Sequence, residues 1–304
     1  MRTDPLPLTV IGGYLGAGKT TLLNHLLRNA GGTRIALLVN DFGDINIDAD
    51  LIESSDGETI ALTNGCTCCT LADGLTTVLA ELRQRSEGFD HIVIESSGVA
   101  DPLKIGHNGA AFGFPLVGVT VVVDAEQVRR QATDKYVGDT VMRQLRCADL
   151  LIVNKSDLVT AGDLESVVDW LAETAPDTPV LTTEAGRVDT GIVLAPLHTA
   201  GSSVIEDGSH DTFESWSFRS DTALRRDEVE AFLAALPPGV VRAKGILRLA
   251  DDSANDYVLQ RVGRRTSLLP LERSGGPTES RLVVIGVPGC IDRALFTDQL
   301  GGIR

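Results

Sequence analysis

Three of the five cysteines in this chain of 304 residues lie within four positions, in the run Cys66-Thr67-Cys68-Cys69. Thiolates bind Zn²⁺ and other borderline or soft ions in preference to Mg²⁺. Two or three of the cysteines Cys66, Cys68 and Cys69, together with a water or a carboxylate, would complete a tetrahedral metal site. A thiol–disulfide switch within the same cluster is the competing interpretation. The cysteines alone therefore predict either metal binding or redox chemistry.

A glycine-rich segment upstream of the cysteines predicts a phosphate-binding loop. Gly13-Tyr14-Leu15-Gly16-Ala17-Gly18-Lys19-Thr20 follows an apolar run and opens an amphipathic one. In such a loop the backbone N–H groups and the helix N-terminus bind phosphate, the lysine reaches the β- and γ-phosphates, and the threonine hydroxyl binds Mg²⁺. The predicted nucleotide contacts in this segment are Gly13, Gly16, Ala17, Gly18, Lys19, Thr20 and Thr21.

The run Asn154-Lys155-Ser156-Asp157 indicates which base the nucleotide carries. It directly follows an apolar strand and lies 135 residues after Lys19. The carboxylate of Asp157 can accept hydrogen bonds from N1–H and the 2-amino group of guanine, Asn154 can bind its other edge, and the stem of Lys155 can cover the ring. Adenine lacks the paired donors, so these residues favour GTP over ATP.

A third segment, His91 to Gly98, predicts the part of the site that responds to the γ-phosphate. Glu95 ends an apolar run, and Gly98 follows three residues later. GTPases need a carboxylate at the Mg²⁺ shell and a glycine whose N–H contacts the γ-phosphate, and Glu95 and Gly98 suit those two roles. The polar loop at residues 40–48 is the expected position of a first switch, which the γ-phosphate and Mg²⁺ would order.

An alternation of apolar strands and amphipathic helices must position these residues. The first 200 residues have the rhythm of a mostly parallel α/β sheet, and residues 213–304 predict a smaller α+β domain on an antiparallel sheet. Residues 201–212 are read as a linker, because Gly, Ser, Asp and His dominate there. Predicted strands are 8–12, 34–40, 91–95, 117–124, 150–154, 179–182, 213–219, 240–249, 257–262, 267–270 and 281–287. Predicted helices are 19–28, 71–83, 126–146, 163–173, 226–236 and 291–300.

Composition and charge argue against several other classes of protein. The net charge of −15 and the pI near 4.7 disfavour nucleic-acid binding, which requires a basic surface. No secretory signal and no uninterrupted apolar span is evident, so no membrane association is expected. An odd number of cysteines without framework spacing predicts reduced thiols and a cytoplasmic location.

Taken together, the motifs resemble those of the CobW-type metallochaperone GTPases, which are related to UreG and HypB. The resemblance rests on GYLGAGKTTLLN at residues 13–24, NDFGDINID at 40–48, GCTCC at 65–69, ESSGVADP at 95–102, NKSD at 154–157 and RAKGIL at 242–247. It implies a phosphate-loop GTPase that uses GTP and Mg²⁺, binds Zn²⁺ or Co²⁺ at its cysteines and delivers the metal to a client protein. Homo-oligomers are possible.

The resemblance also implies a set of catalytic residues. Lys19 and Thr20 would bind phosphate and Mg²⁺, and Asp41 and Glu95 would lie near the metal and the attacking water. Asp41 and Asp44 depart from the glutamates that many relatives carry, and the shorter side chains weaken any metal contact from these positions. Two alternatives stay open: a small-molecule kinase that uses the same phosphate loop with ATP, and a redox sensor that binds nucleotide passively.

Overall fold

The computed structural model describes residues 6–39, 59–61, 71–84, 88–194, 213–272 and 279–301. The chain divides into two compact units, Met1–His198 and Thr199–Arg304. The segment predicted as a linker, residues 201–212, lies outside the described residues.

In the N-terminal unit a parallel sheet is surrounded by helices, as predicted. The strands are β1 (Leu8–Gly12), β2 (Ile35–Val39), β3 (Thr59–Ala61), β4 (His91–Glu95), β5 (Leu116–Asp124), β6 (Leu150–Asn154) and β7 (Val180–Thr182). The helices are α1 (Lys19–Arg28), α2 (Leu71–Gln84), α3 (Pro102–Ala111), α4 (Val128–Ala132), α5 (Gly138–Cys147), α6 (Ala161–Thr174) and α7 (Thr190–Val193). The strand order is β3-β2-β4-β1-β5-β6-β7, with parallel pairing throughout these described strands.

The sheet is apolar because helices cover it on both faces. Every residue of β1, β2, β4 and β6 is buried, and these strands consist largely of Val, Ile and Leu. One face packs against Leu79 and Leu82 of α2, Leu145 of α5 and Leu171 of α6. Parallel strands direct all their carboxyl ends to one edge, and ligands of α/β sheets bind at that edge where the strand order reverses. Here β1 lies between β4 and β5, so the segment after β1 starts at such a point.

One predicted helix was wrong in its extent. The single helix predicted at 126–146 is two helices, α4 and α5, with residues 133–137 between them. The Oδ1 atom of Asp134 accepts hydrogen bonds from the backbone N–H groups of Tyr136 and Val137, at 2.8 and 3.2 Å. This local alternative to helical bonding interrupts the predicted helix between α4 and α5.

Three elements were missed from the sequence: β3, α3 and the four-residue helix α7. Strand β3 has only three residues, and α3 contains Gly106 and Gly109, which disguise a helical pattern. Both glycines have a packing reason: a Cβ on Gly106 would lie 2.6 Å from Leu116, and one on Gly109 would overlap Leu8. Helix α3 therefore lies unusually close to β1 and β5. Asp101 caps it by accepting from the N–H of Leu103, at 3.1 Å.

The C-terminal unit is the predicted α+β domain. Its strands are β8 (Glu214–Ser220), β9 (Val240–Leu249), β10 (Asp252–Val262), β11 (Arg265–Glu272) and β12 (Ser280–Gly286), and its helices are α8 (Arg226–Ala235) and α9 (Arg293–Gly301). The sheet is antiparallel in the order β11-β10-β9-β12-β8. Trp216 of β8 meets Phe232 of α8 and Phe296 of α9 at ring-centroid distances of 6.0 and 5.4 Å. Across the described ranges of both units, no helix is long and apolar enough to cross a membrane.

Candidate nucleotide and metal site

Four neighbouring strands end on chemically useful residues at one edge of the parallel sheet. Gly12, Glu95, Asp124 and Asn154 are the last residues of β1, β4, β5 and β6. The strand registers pair Ile11 with Glu95 and Asp124 with Asn154. The glycine-rich loop starts from the centre of this edge, so the segments singled out in the sequence converge on one place.

The glycine-rich loop owes its shape to backbone conformations that only glycine adopts readily. Gly13, Gly16 and Gly18 have φ values of 134°, 78° and 99°. Two of them also lack space for a side chain: a Cβ on Gly13 would overlap the carbonyl oxygen of Val122, and one on Gly18 would overlap the side-chain amide of Asn154. Gly16 has open space around it, so its requirement is conformational alone.

The start of α1 joins the loop to the end of β4. Lys19 and Thr20 are the first two residues of the helix, and Lys19 is buried. The hydroxyl of Thr20 donates to Oε1 of Glu95 at 3.4 Å, and Glu95 is 2% exposed. A hydroxyl and a carboxylate are the hard oxygen ligands that Mg²⁺ prefers. The donor set therefore fits Mg²⁺. Thr21 follows on the exposed side of the helix.

The turn after Glu95 lies against the glycine-rich loop. The N–H of Ser96 donates to the carbonyl of Ile11 at 2.9 Å, and the N–H of Ala100 donates to the carbonyl of Ser97 at 3.1 Å. A Cβ on Gly98 would lie 2.8 Å from the backbone nitrogen of Leu15. Gly98, predicted to contact the γ-phosphate, is thus a direct neighbour of the loop that would hold the phosphates.

Gln144 of α5 is a residue of this site that the sequence analysis missed. It is 2% exposed, and its side-chain amide donates to the carbonyls of Gly98 and Ala100 at 3.1 and 2.9 Å. The signal was present in the pattern of the helix. Gln144 falls on the same face as the buried Val141 and Leu145, and a polar residue on an apolar face requires a partner.

At the base end of the site, Asn154 connects two loops. Its Nδ2 donates to the carbonyl of Ala17 at 3.0 Å, and its Oδ1 accepts from the N–H of Gly186 at 2.9 Å. An amide group has two donor hydrogens, so the bond to Ala17 leaves a second hydrogen for a base edge. Asn154 thereby ties the phosphate loop to the loop that follows β7, a connection that the sequence does not reveal.

Lys155 and Asp157 differ strongly in their surroundings. Lys155 has a φ of 62°, and its Nζ lies 2.5 Å from Oδ2 of Asp124. Asp124 in turn accepts from the N–H of Glu126 at 2.9 Å. The ion pair fixes Lys155 beside the end of β5, and Asp124 is its unforeseen partner. Asp157 is exposed in the short 3₁₀ helix Ser156–Leu158, where a ligand can reach its carboxylate.

The predicted metal ligands Cys66, Cys68 and Cys69, and the predicted catalytic Asp41, lie outside the described residues. Within the described part of the chain no group of three or more His, Cys, Asp or Glu side chains is arranged to hold a metal ion. The remaining two cysteines, Cys147 and Cys290, are half-buried thiols that pack against the cores of the two units.

The chain matches two family models and several curated proteins. Residues 7–182 match the nucleotide-binding domain of CobW/HypB/UreG, and residues 213–303 match the C-terminal domain of the cobalamin synthesis protein cobW. The zinc chaperone CobW of Sinorhizobium sp is 32% identical, over 93% of each chain. The zinc-regulated GTPase metalloprotein activator 1 of Schizosaccharomyces pombe is 34% identical over 61% of this chain and 47% of its own length.

A solved structure, the Zn(II)-bound YjiA GTPase from Escherichia coli, is 25% identical, covers 99% of this chain and 100% of that chain, and has a TM-score of 0.47. The two family models together account for most of both units, and each follows its unit closely in extent. The order of the matched domains is also the order in which the parallel and antiparallel sheets occur along the chain. The chain belongs to the CobW/HypB/UreG family, with the cobW type of C-terminal domain.

Proposed function

We propose that this protein is a GTP-hydrolysing metallochaperone, which binds Zn²⁺ or Co²⁺ at Cys66, Cys68 and Cys69 and delivers it to a client metalloprotein under nucleotide control. The observation that carries the nucleotide half is the convergence at one sheet edge of the phosphate loop, the Thr20–Glu95 pair and the Asn154–Asp157 segment. The metal half is supported by the thiolate chemistry of the cluster and by relatives named as zinc chaperones.

Hydrolysis in such a site depends on positioning and on charge. Lys19 places a positive charge at the β- and γ-phosphates, and the N–H groups of the loop bind the remaining oxygens. Thr20 and Glu95 would hold Mg²⁺, which, when bound, neutralises negative charge on the phosphate oxygens. Gly98 contributes an N–H beside the γ-phosphate, and Asp41 is proposed to lie near the attacking water. Because few groups take part in covalent chemistry, slow intrinsic turnover is expected.

Recognition of guanine falls to the residues after β6. Asp157 is exposed and can accept from both N1–H and the 2-amino group of guanine, while Asn154 keeps one amide hydrogen for the base. The Lys155 stem is held beside Asp124, next to the same loop. This arrangement opposes the alternative of a small-molecule kinase, which would prefer ATP.

Metal delivery requires that nucleotide and metal affect each other. The cysteines lie in sequence between the predicted first switch at 40–48 and Glu95, so a change of nucleotide is expected to change the geometry of the metal ligands. If GTP and GDP give different zinc affinities, zinc must by linkage change the relative affinity for the two nucleotides by the same factor.

The decisive experiment measures zinc binding and nucleotide binding on the same preparation. Under reducing conditions the wild-type protein is expected to bind one zinc ion and to prefer GTP over ATP. A triple variant, Cys66→Ser, Cys68→Ser and Cys69→Ser, should lose the zinc and keep GTP binding. The matched control, Cys147→Ser with Cys290→Ser, should retain both.

Each part of the proposal has an outcome that would overturn it. Tight stoichiometric zinc in the triple serine variant would remove the cysteine cluster as the metal site. Preference for ATP would favour the kinase. Equal zinc dissociation constants in the GTP and GDP states would end the idea of nucleotide control. Reversible loss of thiols with no metal binding would favour the redox sensor.

A further inference from the structure

The turn that contains Gly98 is attached to the body of the N-terminal unit by one buried side chain. Gln144 donates both hydrogens of its amide group, one to the carbonyl of Gly98 at 3.1 Å and one to the carbonyl of Ala100 at 2.9 Å. The turn is closed by the bond from the N–H of Ala100 to the carbonyl of Ser97. Gln144 therefore binds two carbonyls of a single four-residue turn.

This attachment fixes where Gly98 lies relative to the phosphate loop. Gly98 is packed so closely that an added Cβ would be 2.8 Å from the backbone nitrogen of Leu15. Gln144 itself lines a small cavity beneath the loop, together with Tyr14 and Ala17. A side chain on α5 thus contacts the γ-phosphate turn and borders the underside of the phosphate loop at the same time.

The two bonds cannot be replaced easily if the turn moves. Gln144 is 2% exposed, so water cannot take the place of the two carbonyls, and a buried amide that loses its acceptors is destabilising. The observed position of the turn, with Gly98 beside the loop, is therefore stabilised over any displaced position in which Gln144 would lose both carbonyls. A nucleotide-dependent switch requires such a difference in stability between two positions.

We propose that Gln144 is a positioning residue, which holds the Gly98 turn in the position that binds the γ-phosphate and thereby sets the preference for GTP over GDP. The proposal rests on the proposed function, since it assumes that the site binds guanine nucleotides. A ligand stabilises the conformation that it binds better, by its difference in affinity for the two. GTP contacts the Gly98 turn through its γ-phosphate, and GDP has no group to do so.

Helix α5 then also reports the nucleotide state. When the turn is displaced, the carbonyls of Gly98 and Ala100 leave Gln144, and α5 loses two of its attachments to the site. Helix α5 packs against α4 and α6, so a change at Gln144 reaches elements outside the nucleotide site. Gln144 couples the turn to α5 through its bonds to the carbonyls of Gly98 and Ala100.

The test is a comparison of affinities for GDP and for a non-hydrolysable GTP analogue, measured calorimetrically in excess Mg²⁺. Gln144→Met keeps the length of the side chain and removes both donors. Its affinity for the GTP analogue should fall about tenfold, as the loss of two neutral hydrogen bonds implies. Its affinity for GDP should change less than about twofold, because GDP has no γ-phosphate through which to contact the turn. Gln131→Met, at a residue that lines the same cavity, is the matched control and should leave both affinities unchanged.

A second variant keeps the test decisive if Gln144→Met folds poorly. Gln144→Asn retains the amide but is shorter by one methylene, so it cannot reach both carbonyls, and a smaller loss with the same sign is expected. Equal losses for GDP and the GTP analogue would overturn the inference, since they would mean that Gln144 only supports the fold. If the wild-type protein binds neither nucleotide, the proposed function fails instead.

Discussion

The phosphate end and the base end of the site are built by different means. At the phosphate end the backbone forms the binding surface. Three glycines with positive φ shape the loop, and two of them are required by close contacts with Val122 and Asn154. At the base end, side chains form the binding surface, and of these Asn154 is buried and Asp157 is exposed. Binding through the backbone depends on the shape of the loop, which at Gly13 and Gly18 leaves no room for a Cβ. Recognition by a side chain can be altered without loss of the fold.

The largest effect is expected from adding one methyl group at the phosphate end. Gly13→Ala would place a Cβ into the carbonyl oxygen of Val122, at a φ of 134° that alanine rarely adopts. We expect the affinity for all guanine nucleotides to fall by more than about 100-fold, since a strained, displaced loop loses several backbone bonds to phosphate at once. Fluorescence titration with GDP and GTP checks this result.

The control for that substitution is Gly31→Ala, which shares the positive φ but has no atom within 4 Å of the added Cβ. It should cost only the conformational strain, about 1–2 kcal/mol of stability, and leave nucleotide affinity unchanged. Nucleotide binding by Gly13→Ala at the wild-type level would show that the loop can adapt, and the contrast between the two ends would disappear.

The second-largest effect is expected at Asn154, which lies at the base end and also binds the phosphate loop through Ala17. Asn154→Ala removes the bonds to the carbonyl of Ala17 and from the N–H of Gly186, and leaves both backbone groups buried without these partners. We expect the free energy of unfolding of the nucleotide-free protein to fall by about 2–4 kcal/mol, since each unsatisfied buried group costs roughly 1–3 kcal/mol. Urea denaturation followed by circular dichroism measures it.

Asn108→Ala, at an exposed position of α3, is the matched control and should change stability by less than about 0.5 kcal/mol. If Asn154→Ala were as stable as this control and only nucleotide affinity fell, Asn154 would be a base ligand without a structural role. The base end would then be independent of the phosphate loop, which would sharpen the contrast between the two ends.

The sequence allowed the sheet and the position of the site to be predicted, for a definable reason. Buried parallel strands are continuous apolar runs, so β1, β4 and β6 were predicted with their observed bounds. The glycine-rich loop and the residues that end β4 and β6 were found because each follows such a run directly. In these cases a residue that directly follows an apolar run in the sequence also lies at the carboxyl edge of the sheet.

What could not be predicted depends on contacts between residues distant in sequence. Asp124 pairs with Lys155 across 31 positions, and Gln144 reaches Gly98 across 46. The glycines of α3 obscure its helical pattern, and the reason for them, close packing against Leu8 and Leu116, is not visible in the sequence. The split between α4 and α5 depends on Asp134, whose side chain competes with the helix for backbone N–H groups. The type of each residue indicated the chemistry that it could perform, but it did not indicate which distant residue it would contact.

The smallest effect on stability, and the most specific effect on function, is expected from Asp157→Asn. Asp157 is exposed, so the free energy of unfolding of the nucleotide-free protein should change by less than about 0.5 kcal/mol. Affinity for GTP should fall about 10- to 100-fold, because a carboxylate that accepts two hydrogen bonds is replaced by an amide that matches only one.

Xanthosine triphosphate carries a carbonyl where guanine has the 2-amino group, so the amide of asparagine can donate to it, and this nucleotide should bind the variant better than the wild type. Competition between the two nucleotides on each protein measures the change in selectivity directly. Unchanged preference for GTP in the variant would place base recognition elsewhere and leave Asp157 as a surface carboxylate, whereas a large loss of stability would mean that this end is as rigidly built as the phosphate loop.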